Sequence, residues 1–253
     1  MKKLVSIFCA AALALSLAGC GAQAADTNTN TNTTAPVVST VYSLEDATVL
    51  TFTDSGITAQ DGGTGYEIDG TALTIDSAGI YAVTGTCADG SITIKEGTTG
   101  VTLVLNGLSL TSADTAPITC NKSTEVTIIA AEGSVNSLTD SARNNDNEYP
   151  DNEAAENAVI KCKDGSQVTL GGTGSLTITA NGKNGIKSGT TTAEEWEASL
   201  TIRELTLTIN APVNDAVNAE QTLNVESGTL TIAAADDALH SDLVLNIGAE
   251  GTE

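Results

Sequence analysis

The chain has 253 residues, with 32 Asp and Glu against 10 Lys and Arg and only 3% aromatic residues. A net charge of −22 repels nucleic acid and anionic lipid headgroups, so neither is expected on its surface. No Cys/His set has zinc spacing, and there is no nucleophile triad, phosphate loop or redox motif.

The sequence opens "MKKLVSIFCAAALALSLAGC": Lys2 and Lys3 form a basic start, Leu4 to Leu17 a short apolar run, and "LAGC" the cleavage point. The apolar run is too short to span a bilayer, which takes about 20 residues. It resembles a bacterial lipoprotein signal, which implies residues 1–19 as signal peptide and Cys20 as the lipidated first residue. Loss of the two signal lysines leaves 8 basic against 32 acidic groups, a balance of −24. The Thr/Asn-rich stretch that follows lacks alternation and reads as a flexible linker over 20–41. The folded domain is expected over 42–253. In it "GGTGYEIDG" (62–70) reads as a turn, with Glu67 where a calcium-binding nonapeptide has Asp.

From Val101 onward short alternating strands recur. A first series starts at Val101, Val126, Val168, Leu200, Leu223 and Leu243. A second starts at Leu108, Val135, Leu176, Leu207 and Leu230. A third starts at Ile118, Ile160, Ile186, Val217 and Leu239. The first-series spacings are 25, 42, 32, 23 and 20 residues. The two long ones hold insertions at 139–157 and 189–199; the first, acidic, either caps a site beside the ladder or is a mobile solvated loop. The fold class is therefore all-β: a right-handed single-stranded parallel β-helix with three short strands per rung. An antiparallel sandwich competes, but it needs hairpin turns between consecutive strands. The chain stops at "NIGAEGTE", after a first-series strand. That would leave an open strand edge, so the chain is expected to be a fragment or to have lost further rungs.

Rungs about 4.8 Å apart stack equivalent residues into columns. Cys120, Cys162, Ser188, Ala219 and Ser241 form a small inward column, in which Cys120 and Cys162 lie at disulfide range or remain buried thiols. Asn157, Asn184, Asp215 and Asp237 align on the turn before the third series, with Asp236 beside them. Stacked carboxylates repel, and a hard cation held by oxygen ligands relieves this. The expected calcium ligands are Asn184, Asp215, Asp236 and Asp237; the alternative is a solvated Asn/Asp turn ladder. The outward column Thr119, Lys161, Lys187, Asn218, His240 makes a basic stripe that either receives uronate carboxylates or balances the aspartates. Trp196, flanked by Glu194, Glu195 and Glu197, either stacks on a sugar or anchors its loop.

The stretches "VTLVLNGLSLTSADTAPITC", "GTGSLTITANGKNGIKSG" and "TLTIAAADDALHSD", in their order over roughly 46–247, resemble the bacterial carbohydrate-binding β-helix lipoproteins. That family is similar in fold to calcium-dependent polysaccharide lyases. The resemblance implies binding of a plant cell-wall polysaccharide, a neutral glucan or pectic acid, with calcium supporting the rungs. It implies a lipid-anchored protein on the extracellular face of the cell membrane. A lyase needs a base beside the uronate, and neither Arg143 nor Arg203 has an evident partner set, so no enzyme activity and no catalytic residue are expected. The alternatives are a stalk or adhesin that binds no sugar, and a calcium-dependent lyase.

Overall fold

The computed structural model describes residues 43–60, 62–192 and 197–248, together with the backbone of 3–8. The protein is all-β, with one 3-10 turn at Leu44–Asp46 capped by the Ser43 side chain. Cys20, the 20–41 linker and Trp196 lie outside the described residues.

Two parallel ladders meet in one sheet and a third forms a second sheet. Val101–Ser112 carries both the first- and second-series segments in one long strand. From it the first series runs through Glu125–Ala130, Gln167–Gly171, Ser199–Ile202, Thr222–Val225 and Val244–Ile247. The second runs through Val135–Asp140, Ser175–Thr179, Thr206–Ala211 and Thr229–Ala234. The third runs through Ile118–Cys120, Ala158–Cys162, Asn184–Ser188, Val217–Ala219 and Leu239–Ser241. Every neighbouring pair within these series is parallel, so each strand meets its equivalent from the preceding turn of chain.

Alternation explains which side is buried. In Ser175–Thr179, Leu176 and Ile178 point inward and Thr177 outward. The β-branched Thr suits the exposed side of a pleated strand. The third-series core is one apolar stack: Ile118, Ile160, Ile186, Val217 and Leu239 are register partners in sequence. All but Leu239 are fully buried. Each such side chain contributes about 1.5–3 kcal/mol by leaving water. The small column beside it holds Cys120, Cys162, Ser188, Ala219 and Ser241 in register, as their sizes suggest. Cys87, Cys120 and Cys162 are buried free thiols. A hydrogen bond with the Cys162 sulfur, then burial, pushes the Cys120 thiol well above its ordinary range.

The sequence-based register needs four corrections. Leu223 pairs with Leu245, not Leu243, which is 66% exposed. The two leucines share a parity, and a period of two cannot detect a two-residue slip. Val135 points outward and Asn136 takes the inward position opposite Leu176. Asn136 is buried and satisfied: Oδ1 accepts from the Gly107 and Leu108 amides, and Nδ2 donates to Ser134 Oγ and Ser175 O. Ala158, not Asn157, aligns with Asn184. Lastly, "GGTGYEIDG" is not merely a turn: Tyr66–Asp69 is a strand, antiparallel to Ala72–Ile75.

The connection after Gln167–Gly171 passes very close to the previous turn. Gly172 has φ +95°, and a Cβ there would lie 2.3 Å from Ala130 O. Only glycine satisfies both constraints. At the far end of the stack Val244, Leu245 and Ile247 are all exposed. The outer edge of Thr229–Ala234 pairs antiparallel with Lys3–Phe8.

Candidate functional site

The third-series strands begin at one corner of the coil, and the candidate site lies along it. Asp215 precedes Val217–Ala219 and is 5% exposed. Its Oδ1 accepts the Asp237 amide at 3.0 Å and its Oδ2 accepts Asn218 Nδ2 at 2.7 Å. The next turn brings Asp236 and Asp237 beside it. One carboxylate oxygen from each of the three residues lies within 4.8 Å of the others, and Asp236 and Asp237 are exposed. Two unit charges at that separation repel by roughly 3 kcal/mol at an effective dielectric of 20, less where water screens them.

Asn184, placed by sequence among the cation ligands, has its amide already engaged. Its Nδ2 donates to Asn157 O at 3.0 Å and its Oδ1 accepts from Asn214 Nδ2 at 2.8 Å. It is buried, 2% exposed. The backbone carbonyls of Asp215 and Asp237 accept from Gly185 and Ala216. The Asp236 and Asp237 carboxylates face outward at the corner, while that of Asp215 is buried behind them and accepts from the Asp237 amide and Asn218. Hard oxygens gathered in this way suit calcium, which takes 6–8 such ligands; three carboxylates leave positions for water or a ligand's oxygens.

The basic stripe forms as the spacing suggests, since Thr119, Lys161, Lys187, Asn218 and His240 are successive register partners. It adjoins the carboxylates directly. Asn218 bonds Asp215, and His240 places Nδ1 3.4 Å from Asp237 and Nε2 2.7 Å from Asp242. The Asp242 contact raises the His240 pKa; burial opposes it, and the Asp237 contact adds to the rise. Lys187 Nζ lies 3.1 Å from Glu220. Lys161 has no ion pair among the described residues, and burial, then the adjacent Lys187, lowers its pKa. Asn218 was legible as a member of the stripe. Its role in orienting Asp215 was not; the only signal is the Asp-x-x-Asn spacing across the strand start.

The acidic insertion is not the solvated loop its composition suggests. Residues 141–157 fold back on the corner through buried asparagines. Asn145 Nδ2 donates to Gly182 O, and Asn152 Nδ2 donates to Asp114 O and Arg143 O. Asn144 is fully buried: Nδ2 donates to Asp140 Oδ2 and Ala158 O, while Oδ1 accepts from the Glu156 and Asn157 amides. Arg143 pairs with Asp114 at 2.6 Å and lies over the Tyr149 ring.

Asp140 is 1% exposed at the root of this loop. Its burial raises the carboxyl pKa, against the lowering effect of hydrogen bonds from Asn144, Gly182 and Asn181. A carboxyl whose folded value lies above its unfolded value contributes stability below the unfolded value and loses it as pH rises through the folded one. Asp140 is expected to titrate above the ordinary aspartate value of about 3.9. Carboxyl carbon shifts against pH check this, and a midpoint below that value would contradict it.

Stacked parallel strands with an acidic corner define an all-β protein. The family described as carbohydrate-binding domain-containing protein matches residues 69–246, and this chain belongs to that family. A carbohydrate-binding domain-containing protein of Acetivibrio thermocellus is 34% identical over 123 residues, which is 48% of this chain and 42% of that one. The chain thus matches under half the length of that relative. A polysaccharide lyase-like protein from C. thermocellum, solved as a gadolinium derivative, superposes with a TM-score of 0.54 at 23% identity. It covers 81% of this chain and 98% of its own, and shares the fold.

Proposed function

We propose that the protein is a non-catalytic polysaccharide-binding module whose corner holds calcium between Asp215, Asp236 and Asp237. The carbohydrate-binding family is established; the polymer and the ion are our reading. One observation carries it: the three carboxylates converge within 4.8 Å and adjoin the Lys161–Lys187–His240 stripe. A bound calcium would leave coordination positions open toward solvent. A uronate could fill them while its chain runs along the lysines. Bridging of this kind explains how so acidic a protein holds an acidic polymer, because the ion offsets two of the three carboxylate charges and offers its open coordination positions to the uronate oxygens. Trp196 is proposed as a stacking surface for the same chain. We read the coil as a right-handed single-stranded parallel β-helix, in line with the right-handed preference of parallel crossovers. The lipobox-like "LAGC" supports a lipid anchor at Cys20 and a place on the outer face of the cell membrane.

Retention on immobilised polygalacturonate tests this. Calcium is expected to strengthen it at least tenfold over chelator, and Lys161→Ala/Lys187→Ala to weaken it several-fold. Equal retention with and without chelator would contradict the bridging role. One observation favours a second reading, a calcium-dependent lyase: Lys161 lacks an ion pair among the described residues and has a lowered pKa, as a general base requires. Ultraviolet absorbance of unsaturated uronate, formed on incubation with polygalacturonate and abolished in Lys161→Ala, would favour it over simple binding.

A further inference from the structure

Among the described residues, one pair of cysteines is set face to face by the stacking of turns. Cys120 and Cys162 are register partners on the adjacent parallel strands Ile118–Cys120 and Ala158–Cys162. Both point into the core, both are fully buried, and both are free thiols in this structure. Adjacent strands lie about 4.8 Å apart, inside the roughly 4.4–6.8 Å that separates the Cα atoms of a disulfide. The two sulfurs already share a hydrogen bond, so the side chains do not diverge. On the other side of Cys162 stands Ser188, whose buried hydroxyl makes no hydrogen bond among the described residues. It therefore does not draw the Cys162 sulfur away from Cys120. Cys87 differs: it lies in the other sheet, and its register partner is Leu110.

We propose that Cys120 and Cys162 form an internal disulfide that staples two successive turns of the coil. The oxidant is a disulfide-bearing thiol compound, such as glutathione disulfide. One cysteine thiolate attacks that disulfide and releases one thiol. The second thiolate then displaces the other half and closes the Cys120–Cys162 bond. The cysteines give up two protons and two electrons, which convert the oxidant to two thiols. Exchange needs a thiolate, and the mutual hydrogen bond, with burial, keeps the Cys120 thiol protonated in the closed coil. The bond therefore forms while the turns are still settling. It closes a loop of about 40 residues, which contains Asp140 and the asparagine clamp at 141–157. Such a closure removes conformations from the unfolded chain, so the stapled coil resists unfolding.

The experiment is refolding of the full chain with glutathione disulfide, then denaturation, alkylation of free thiols and peptide mass spectrometry without reductant. A peptide pair linked through Cys120 and Cys162 is expected as the main disulfide, with Cys87 alkylated. The oxidised parent should melt above its reduced form by about 5 °C or more. Cys162→Ala puts into the column the residue already found there at Ala219. It should melt at one temperature with and without glutathione disulfide, whereas Cys87→Ala should keep the full difference. If Cys162→Ala does not fold, the linked peptide and the melting difference of the parent decide the matter alone. Absence of the linked peptide, a main disulfide through Cys87, or equal melting of oxidised and reduced parent would overturn the proposal.

Discussion

Replacing Asn144 by Ala is expected to lower stability by about 3–5 kcal/mol, one of the two largest effects of any single substitution considered. Asn144 is fully buried and makes four hydrogen bonds. Truncation leaves the Glu156 and Asn157 amides, the Ala158 carbonyl and one Asp140 oxygen short of a partner. Each buried polar atom left unpaired costs about 1–3 kcal/mol, and water entering the vacated space recovers part of it. The Asp140 carboxyl, already raised by burial, loses one of the bonds that hold it down and should titrate higher still. The loop should also become a site of proteolysis. Urea denaturation checks the magnitude, and on the usual scaling Tm should fall by roughly 10 °C. A loss below about 1 kcal/mol would mean that the asparagine clamp is not what holds 141–157 in place.

Ile186→Ala should cost about 2–5 kcal/mol, the range for truncating a fully buried aliphatic side chain. Ile186 sits between Ile160 and Val217 in the stack, with neighbours above and below. Leu239 occupies the equivalent place in the last described turn and is only half-buried. Leu239→Ala should therefore cost clearly less than Ile186→Ala. Comparable losses at the two positions would contradict a core built by stacking turns.

Much of this was legible in the sequence, and the reason is the repeat. The third series was read in register from Ile118 to Leu239 because each strand pairs an aliphatic residue with a small one two places on. That coincidence of period and size leaves little freedom to slip. Stacking then follows, and with it the alignment of Asp215 with Asp237 and of Lys161 with Lys187. Where the pattern carried less information the reading drifted. Leu243 and Leu245 have the same parity, so alternation fits either. Val135 and Leu138 have opposite parities, and the structure settles the conflict by burying Asn136 at the cost of exposing Val135.

The loop at 141–157 was the larger surprise. Its Asp, Glu and Asn content matches that of solvated segments, yet Asn144, Asn145 and Asn152 are buried. Their partners are mostly backbone groups of the loop itself, such as the Glu156 and Asn157 amides, with two bonds to other turns at Gly182 O and Asp114 O. No periodicity in the sequence reports such bonds, because they depend on where the turns come to rest. The same limit hid the engagement of Asn184 with Asn214.

Calorimetric titration of calcium into the full chain and into its Asp215→Asn variant is the most direct test. Saturable heat from the parent, weakened at least tenfold by that one substitution with no change of fold, is the outcome that stacked turns assembling a cation site require. Absence of calcium heat from the parent, or equal affinity in both proteins, would show that the aspartates meet at this corner without holding an ion.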